Sequence, residues 1–447
     1  MFKRVLVANR GEIAVRIIRA LHELGVEAVA VYSTADRDSL HVRMADHAVC
    51  IGPPAASASY LRIASIVAAA ETTGCEAVHP GYGFLAENPA FVEACIDNDL
   101  VFVGPPADVM ATMGDKIAAK VAMLAAEVPI VPGGDGAASL AQAQHAAAEL
   151  GYPILLKASA GGGGKGMRLV QAPEELEDAY RTAASEAEAA FGDPTLYVEK
   201  ALVPARHVEI QVLCDHFGNV LTLGERECSI QRRHQKLVEE SPSAALTPEA
   251  RERMESAAER ACIAVGYRNA GTFEFLLGPD GSFYFIELNA RLQVEHPVTE
   301  LCTGIDLVRE QLRIASGESL SVTGRAPRRG HAIEIRLNAE DPEFDFLPSP
   351  GRISRFQAPQ GPGVRVDTFL EGGASIPPYY DSLVAKLIVW DSDRPAAIAR
   401  AERALRETVI EGVPTTRDLA LEILASEPFV SGEYSTSTLE ELREGKV

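Results

Sequence analysis

The order strand, helix, strand at the start of the chain constrains its fold more than any other feature. Residues 3–8 (KRVLVA) have the pattern of a buried strand, residues 9–25 carry apolar side chains at helical spacing, and residues 26–33 form a second strand. The same order continues to LVFVGPP and predicts a doubly wound α/β domain over residues 1–114. The first turn, ANRGEIA, lacks G-x-G-x-x-G, which disfavours a dinucleotide-binding oxidoreductase.

Length, charge and cysteine content exclude several classes of protein. A chain of 447 residues is long enough for two or three domains. Lys plus Arg number 42 against 63 Asp plus Glu, and this balance argues against a nucleic-acid surface. The seven cysteines include no C-x-x-C pair, which fits a reducing, cytoplasmic setting. No signal-peptide core and no apolar run of ~20 residues is present, so no membrane association is expected.

The rest of the chain predicts further α/β and α+β structure in two more domains. Strand patterns flank a glycine loop after residue 153, and the loop-like TGRAPRRG separates a domain over 115–327 from one over 328–447. Residues 394–410 are predicted to form a final helix before the tail.

Two glutamates are expected to face each other across a β-hairpin. The Asp-Gly pair in GTFEFLLGPDGSFYFIEL lies between aromatic-rich strands, which is a hairpin signal. A turn centred on Asp280 and Gly281 places Glu274 directly opposite Glu287. Opposed like charges destabilise a sheet, so a positive group is expected between them. Two carboxylates with Asn289 as a third oxygen donor suit Mg²⁺, and the alternative is a pair of exposed glutamates bridged to basic side chains.

The segment that follows repeats a polar residue at every second position. Glu287, Asn289, Arg291, Gln293 and Glu295 would share one face of an extended segment from 283 to 295. This face would be either an ordinary solvated strand face or a shelf for ligands.

Two other segments have the chemistry of an anion site. In KASAGGGGKGM, four glycines let backbone N–H groups approach an anion and Lys157 lies at the mouth of the loop, although a mobile glycine linker is the alternative. In QRRHQK, a run of basic side chains lies within an acidic chain, which favours a small anionic ligand over a simple surface cluster. Neither segment is a P-loop.

The ordered set of motifs closely resembles the biotin carboxylase component of biotin-dependent carboxylases, in the ATP-grasp superfamily. The resemblance covers the chain from end to end through these segments: ANRGEIAVRIIRA, HPGYGFLAEN, MGDK, KASAGGGGKGM, RHVEIQV, QRRHQK, GTFEF, FIELNARLQVEHPVTE, GHAIEIRLNAEDP and YYDSLVAKLI. It implies a Rossmann-like N-terminal domain, an ATP-grasp domain with a glycine-flap lid at about 131–203, and a mixed β/α C-terminal domain.

The resemblance also implies a role for each matching residue. The ATP contacts would be Lys116, Lys157, Gly163, Gly164, Glu199, Lys200, Leu202, His207, Gln231, His234, Leu276 and Ile286. The metal, Mg²⁺ or Mn²⁺, would be held by Glu274, Glu287 and Asn289. Bicarbonate would contact Lys236, Arg291, Gln293, Val294 and Glu295. Biotin would contact Tyr82 and Arg336. The catalytic residues would be Glu295, Arg336, Lys236 and Arg291. The tail segment STSTLEEL is assigned no site.

By the same resemblance, Glu295 deprotonates bicarbonate, which attacks the ATP γ-phosphate to give carboxyphosphate. Carboxyphosphate decomposes to CO₂ and phosphate, phosphate takes the N1′ proton of biotin, and Arg336 stabilises the enolate. The chain has no M-K-M tripeptide, so biotin is expected on a separate carboxyl carrier protein, with carboxyltransferase subunits and a homodimer as further partners. The final acceptor would be acetyl-CoA or another acyl-CoA, with pyruvate as the alternative.

Two other functions remain open from the sequence. Another ATP-grasp ligase would share the flap and the glutamate pair but need not carry RLQVEHP or Arg336. A non-catalytic nucleotide-binding subunit would be expected to lack Lys236, Glu295 or Arg336, and all three are present.

Overall fold

The N-terminal region is a parallel sheet covered by helices. The structure is a computed structural model that describes residues 1–133, 137–158 and 167–446. The sheet has strand order β3-β2-β1-β4-β5 with every pairing parallel, which confirms the predicted doubly wound α/β arrangement. Its elements are β1 (Arg4–Val7), α1 (Gly11–Glu23), β2 (Glu27–Ser33), α2 (Leu40–Met44), β3 (His47–Gly52), α3 (Ile63–Thr72), β4 (Ala77–His79), α4 (Pro89–Asp97), β5 (Val101–Phe102) and α5 (Ala107–Gly114).

A small lobe follows, with a sheet and core of its own. It is preceded by α6 (Lys116–Ala125), whose N-cap Asp115 accepts hydrogen bonds from the backbone N–H groups of residues 117 and 118. The antiparallel sheet β7-β6-β8 packs against two helices through a separate apolar cluster. The elements of this lobe are α7 (Leu140–Leu150), β6 (Ile154–Ala158), β7 (Arg168–Val170), α8 (Leu176–Phe191) and β8 (Leu196–Lys200).

The central body is built on long antiparallel strands. Helix α9 covers one face of these strands and buries its small side chains against them. The elements are β9 (Arg206–Cys214), β10 (Val220–Arg232), β11 (Gln235–Ser241), α9 (Pro248–Val265), β12 (Asn269–Leu277), β13 (Phe283–Asn289), α10 (His296–Thr303), α11 (Leu307–Ala315) and β14 (Gly324–Arg325).

The C-terminal region extends the same sheet. The strand order β13-β12-β9-β10-β11-β15-β22-β20 crosses residue 328 without a break, because β11 pairs with β15. The elements are β15 (His331–Asn338), β16 (Glu340–Asp341), β17 (Leu347–Pro348), β18 (Gly351–Arg352), β19 (Arg355–Gln357), β20 (Val364–Thr368), β21 (Ser375–Ile376), β22 (Leu383–Asp391), α12 (Arg394–Glu407), β23 (Val409–Glu411), α13 (Arg417–Ala425), α14 (Glu427–Ser431) and α15 (Thr438–Arg443).

Two sequence-based expectations about local structure are wrong. The helix over 394–410 is not the final one, because the short helices α13, α14 and α15 follow it. The extended segment predicted to reach residue 295 ends at Asn289, and a turn then leads into α10 at His296. Proline is favoured in the first turn of a helix, so Pro297 is a signal for a helix start. The sequence analysis missed this signal because it followed the alternating polar residues instead.

Within the described residues, no helix combines the length and the apolar character needed to cross a bilayer.

Candidate active site

A cleft of about 1470 Å³ lies where the N-terminal region, the small lobe, the central body and the C-terminal region meet. Its lining comes from the first turn of the N-terminal sheet, from the small lobe, from the central strands and from β15. Most of the residues proposed from the sequence line it: Tyr82, Lys116, Lys157, Glu199, Leu202, His207, Gln231, His234, Lys236, Glu274, Leu276, Ile286, Glu287, Asn289, Arg291, Gln293, Val294 and Arg336. Residues distant in sequence therefore share one chamber.

Glu274 and Glu287 face each other as predicted, although the turn between them differs. The strands pair Glu274 with Glu287, whereas nearer the turn Leu277 pairs with Phe283. The turn is therefore one residue out of the expected register, and an irregularity between Glu274 and Phe275 restores it. The predicted pairing of Glu274 with Glu287 is confirmed, but it depends on this irregularity, which the sequence did not reveal.

A buried ammonium group supplies the positive charge expected beside Glu274. Nζ of Lys236 lies 2.9 Å from Oε1 of Glu274, 2.6 Å from Oε2 of Glu209 and 2.6 Å from Oε1 of Glu295. On the other side, Nε2 of His207 lies 2.9 Å from Oε2 of Glu274. Lys236 thus joins three acidic side chains at the base of the cleft.

Those contacts set the ionisation of the glutamate pair. Burial opposes ionisation of Glu274, but the charges of Lys236 and His207 hold its pKa below the usual value. For Glu287, burial and the charge of Glu274 raise the pKa. Glu287 faces the open cleft. The pair therefore combines one firmly ionised carboxylate with one whose nearby cations do not outweigh burial and the charge of Glu274, and this combination fits a divalent cation.

Glu295 lies beneath the cleft and not on the extended face that the sequence predicted. It is fully buried, and its second oxygen, Oε2, accepts a hydrogen bond of 2.9 Å from Nη2 of Arg336. Burial opposes its ionisation, yet Lys236 and Arg336 hold the pKa of Glu295 well below its usual range. The carboxylate is therefore ionised and shared between two cations.

Arg291 is held at the edge of the cleft by contacts from two regions. Its Nε donates to Oε2 of Glu87 at 2.7 Å, and Oε1 of Glu87 accepts from the backbone N–H of Ala290 at 2.9 Å. Its Nη groups donate to Oδ1 of Asn289 and Oε1 of Gln293, both at 3.0 Å. The guanidinium is oriented before any ligand binds.

In the small lobe, the side chain of Glu199 lies between two lysines. It pairs with Lys157 at 2.5 Å and also with Lys120 of α6. Burial opposes ionisation of this carboxyl, but both lysines hold the pKa of Glu199 below its usual value. Lys157 therefore carries an internal counter-ion.

Three proposed ATP contacts do not lie on the described wall of the cleft. Gly163 and Gly164 fall outside the described residues. Lys200 points away from the cleft and donates from Nζ to the carbonyl oxygens of Gly151 and Tyr152 at 2.9 and 3.0 Å. The side chain of Lys200 thus ties the end of β8 to the turn before β6, although its backbone remains near Leu202.

Comparison with known proteins identifies the fold family. The family described as "Biotin carboxylase, N-terminal domain" matches residues 1–110, "Carbamoyl-phosphate synthase L chain, ATP binding domain" matches 115–323, and "Biotin carboxylase C-terminal domain" matches 334–441. The biotin carboxylase of Nostoc sp. is 53% identical over 443 residues, covering 99% of both chains. The chain belongs to the biotin carboxylase family.

Other relatives show the range of this family. A pyruvate carboxylase subunit of Methanothermobacter thermautotrophicus is 54% identical, covering 100% of this chain and 91% of its own. A biotin carboxylase structure from Campylobacter jejuni has a TM-score of 0.93 at 48% identity over 99% of each chain. The biotin carboxylase domain of Hydrogenobacter thermophilus 2-oxoglutarate carboxylase, a dimer with MgADP and bicarbonate, has a TM-score of 0.93 at 48% identity over 100% and 99%. The chain is an ATP-dependent ligase with an ATP-grasp domain.

The sequence analysis did not propose two residues that lie at this biotin carboxylase site, Glu209 and Thr436. Glu209 has a signal in the sequence, because His207, Glu209 and Gln211 alternate along β9 and share one face. Thr436 also lines the cleft, and its backbone N–H donates to the carbonyl of Ala205 at 3.0 Å. Nothing in STSTLEEL predicted that contact, because it depends on how the tail returns over β9.

Proposed function

We propose that this chain carboxylates biotin on a separate carrier protein, using ATP and bicarbonate through carboxyphosphate. The observation that carries the proposal is the position of Lys236, whose ammonium contacts Glu274 of the opposed pair and Glu295, the proposed base. A single cation thus connects the site where phosphoryl transfer would be assisted with the site where bicarbonate would be activated.

The nucleotide would lie between the small lobe and the central strands. Lys116 and Lys157 would contact the phosphates, and both line the cleft. Glu199, the backbone near Lys200, and Leu202 would hold the adenine, with the remaining proposed contacts along the wall: His207, Gln231, His234, Leu276 and Ile286. Because Glu199 neutralises Lys157 in this structure, phosphate oxygens would have to compete with that carboxylate.

The residues at the opposed pair fit Mg²⁺ or Mn²⁺. Glu287 faces the cleft and its charge adds to that of Glu274, so a divalent ion would relieve the repulsion. Asn289 donates from Nδ2 to Glu274 at 2.9 Å, so its oxygen would coordinate only after an amide rotation. When bound, the ion would neutralise charge on the transferred phosphoryl group.

The side chain of Glu295 would be ionised before bicarbonate binds. A strongly lowered pKa makes a carboxylate a weak base, so Glu295 would accept a proton only after Lys236 and Arg336 shift part of their charge to another anion. Bicarbonate bound beside Lys236, Arg291, Gln293 and Val294 would be that anion. Its arrival would therefore raise the pKa of Glu295 and strengthen the base.

Arg336 and Tyr82 would contact biotin. Arg336 stays cationic, because burial is outweighed by the charges of Glu239 and Glu295, which raise its pKa. It would stabilise the biotin enolate after phosphate takes the N1′ proton. Tyr82 lines the same cleft, and its hydroxyl hydrogen-bonds Glu12 of α1.

The partners and the acceptor are further parts of the proposal, and the relatives support some of them. Acetyl-CoA or another acyl-CoA is the proposed acceptor, through carboxyltransferase subunits, and pyruvate is the alternative because the archaeal pyruvate carboxylase relative is 54% identical. A homodimer is supported by the dimeric 2-oxoglutarate carboxylase domain. A cytoplasmic location and the domain boundaries 1–114, 115–327 and 328–447 stay predictions.

Bicarbonate-dependent ATP hydrolysis with and without free biotin tests the function. We expect biotin to stimulate the wild type and Glu295→Gln to lose nearly all activity, because glutamine cannot accept the proton. Glu422→Gln, at a carboxylate on α13 far from the cleft lining, is the matched control and should behave as wild type. Turnover that is independent of biotin in both wild type and Glu295→Gln would reject the mechanism.

A further inference from the structure

Glu334 on β15 is a buried carboxyl group to which the proposed mechanism gives no part. Its side chain is fully buried, and neither carboxyl oxygen has a hydrogen-bond partner among the described residues. Arg336 lies two residues further along the same strand, so both side chains leave the same face of the sheet. An ionised carboxylate without hydrogen bonds is very costly in such a position.

A second incompletely bonded carboxyl group lies directly opposite. The register of β11 with β15 pairs Glu239 with Glu334. Oε1 of Glu239 accepts a hydrogen bond of 2.5 Å from Nε of Arg336, whereas its Oε2 is buried and has no partner in the described parts of the chain. Three such carboxyl oxygens thus come from two opposed residues, whose Cβ atoms are ~5 Å apart in such a pairing.

The electrostatics favour one proton for the two groups. Burial raises the pKa of Glu239 to about 7 in spite of the nearby Arg336. Burial also raises the pKa of Glu334 well above its usual value, and the charge of Glu239 adds to that effect. Two opposed carboxyl groups in a dry site do not both ionise, because the second negative charge would meet the first at short range.

The surrounding charges do not remove the need for that proton. The charge of Lys386 on β22 lowers the pKa of Glu334, but burial outweighs it. Lys386 itself pairs with Glu12 at 3.2 Å and donates to the carbonyl of Val294 at 2.9 Å. Helix α10 and strand β20 add charges that mainly bind one another through Arg365. The titratable and charged groups around the pair are Glu12, Cys228, Lys236, Glu295, His296, Glu300, Arg336, Arg365, Asp367 and Lys386.

We propose that Glu239 and Glu334 share one proton, and that this carboxyl pair positions Arg336. The O–H of Glu334 donates to Oε2 of Glu239, which leaves Oε1 of Glu239 free to accept from Arg336. Glu334 is then a positioning residue that acts through Glu239. The shared proton rests on the strand register and the unpaired oxygens, with the raised pKa values in support, whereas its effect on biotin carboxylation rests on the function proposed above.

The pH dependence of stability tests the shared proton without any measurement of activity. A group whose pKa is raised in the folded state stabilises the fold fully below its unfolded pKa, and this contribution is lost as pH rises through the folded value. Glu334→Gln keeps an N–H donor but has no proton to lose. Between pH 5 and the pH at which the folded pair loses its proton, the ratio of the unfolding constants of wild type and Glu334→Gln should therefore change by about tenfold per pH unit in favour of the variant.

Glu240→Gln, next to Glu239 on β11, is the matched control for a buried carboxyl group. Glu240 accepts from His331, Arg394 and Tyr434, and although burial opposes its ionisation, these partners hold its pKa below the usual value. That variant should be less stable than wild type at every pH from 5 to 8. A pH-independent difference between Glu334→Gln and wild type would overturn the proposal. So would the absence of a protonated carboxyl band from the infrared spectrum of the wild type at pH 7, a measurement that requires no variant.

Kinetics test the positioning role. Glu334→Leu has no donor for Glu239, so biotin-stimulated kcat should fall about tenfold, equivalent to about 1.4 kcal/mol. Glu334→Gln should restore kcat at pH 7 and remove the alkaline decline that loss of the shared proton causes in the wild type. Equal kcat and an equal pH profile in all three proteins would overturn the positioning role. A wild type without any biotin-stimulated activity would instead reject the proposed function and leave the stability result valid.

Discussion

Among the opposed glutamates of the long sheet, two pairs differ clearly in their surroundings. Glu274 and Glu287 are paired across β12 and β13, and Glu239 and Glu334 are paired across β11 and β15. The first pair borders the cleft and has Lys236 and His207 against one of its members. The second pair is enclosed within the sheet, and among the described residues one of its members has no hydrogen-bond partner.

The difference shows that backbone register does not by itself decide the chemistry of such a pair. Where a cleft is open and a cation is near, the two carboxyls remain a site for a further positive ion. Where water is excluded and the nearest cation, Arg336, contacts only Glu239 of the two carboxyl groups, a shared proton is the positive charge that can stabilise the pair. Changes to the surrounding cations should therefore convert one kind of pair towards the other.

The largest effect is expected from Lys236→Met, which removes the cation beside the first pair. Three buried carboxylates lose a partner, so the free energy of unfolding at pH 7 should fall by about 3 kcal/mol or more. Without Lys236, we expect burial to raise the pKa values of Glu274 and Glu295 above their unfolded values. The variant should therefore approach wild type at pH 5 and fall further behind towards pH 8, as measured by urea unfolding.

Lys236→Arg is the control for that experiment, because it keeps the charge at the same place. It should lose much less stability than Lys236→Met. Equal stability of Lys236→Met and wild type across the pH range would contradict the assignment of Lys236 as the charge that keeps Glu274 ionised.

The next effect concerns Glu287→Gln, which removes half of the first pair. ATP hydrolysis should fall by roughly 10²–10³-fold, because a group that would stabilise the transition state through the metal is lost. The fold should be no less stable, since the charge of Glu274 already disfavours ionisation of Glu287. Mn²⁺ titration followed by electron paramagnetic resonance should show weaker binding than in wild type. Unchanged Mn²⁺ affinity would place the metal elsewhere.

A smaller effect should follow from Glu87→Gln at the edge of the cleft. Arg291 would keep Asn289 and Gln293 as partners but lose its charged contact with Glu87. The KM for bicarbonate should rise about tenfold, equivalent to about 1.4 kcal/mol, with a smaller change in kcat. Glu93→Gln on α4 is a suitable control because it lies in the same region and is exposed. A fall in kcat with KM unchanged would contradict a role in holding Arg291 for bicarbonate.

The smallest effect is expected from Asp280→Ala in the turn of the hairpin. Oδ1 of Asp280 accepts from the backbone N–H and the hydroxyl of Ser282 at 3.0 and 2.6 Å. The exposed turn should loosen, with a slight fall in Tm, while Mn²⁺ affinity and ATP hydrolysis stay as in wild type. A loss of Mn²⁺ binding would show that the turn controls the glutamate pair directly.

Sequence reasoning was most successful where a local pattern also decides the structure. The β-α-β opening and the Asp-Gly hairpin follow from periodicity and turn chemistry, and both are present. It was wrong where two local signals compete, as after Asn289, where the alternating polar residues give way to a helix that starts before Pro297.

Contacts between distant strands could not be predicted from the sequence. The pairing of β11 with β15 brings Glu239 opposite Glu334 from positions far apart in the chain, and no local pattern encodes it. Lys236 was expected near bicarbonate, but its simultaneous contacts with Glu209 and Glu274 depend on the order of the strands in the sheet.

The irregular pairing between Glu274 and Phe275 gives the two halves of the hairpin different registers. The outer half keeps its own alignment from Leu277 and Phe283 to the loop, and the inner half keeps Thr272 beside Asn289. Evolution or a protein engineer could lengthen or replace the tip of the hairpin, where Pro279 and Asp280 are exposed, while the inner half stayed in place. The hairpin tip is therefore a suitable insertion point for a fluorescent or affinity label that reports on the cleft without entering it.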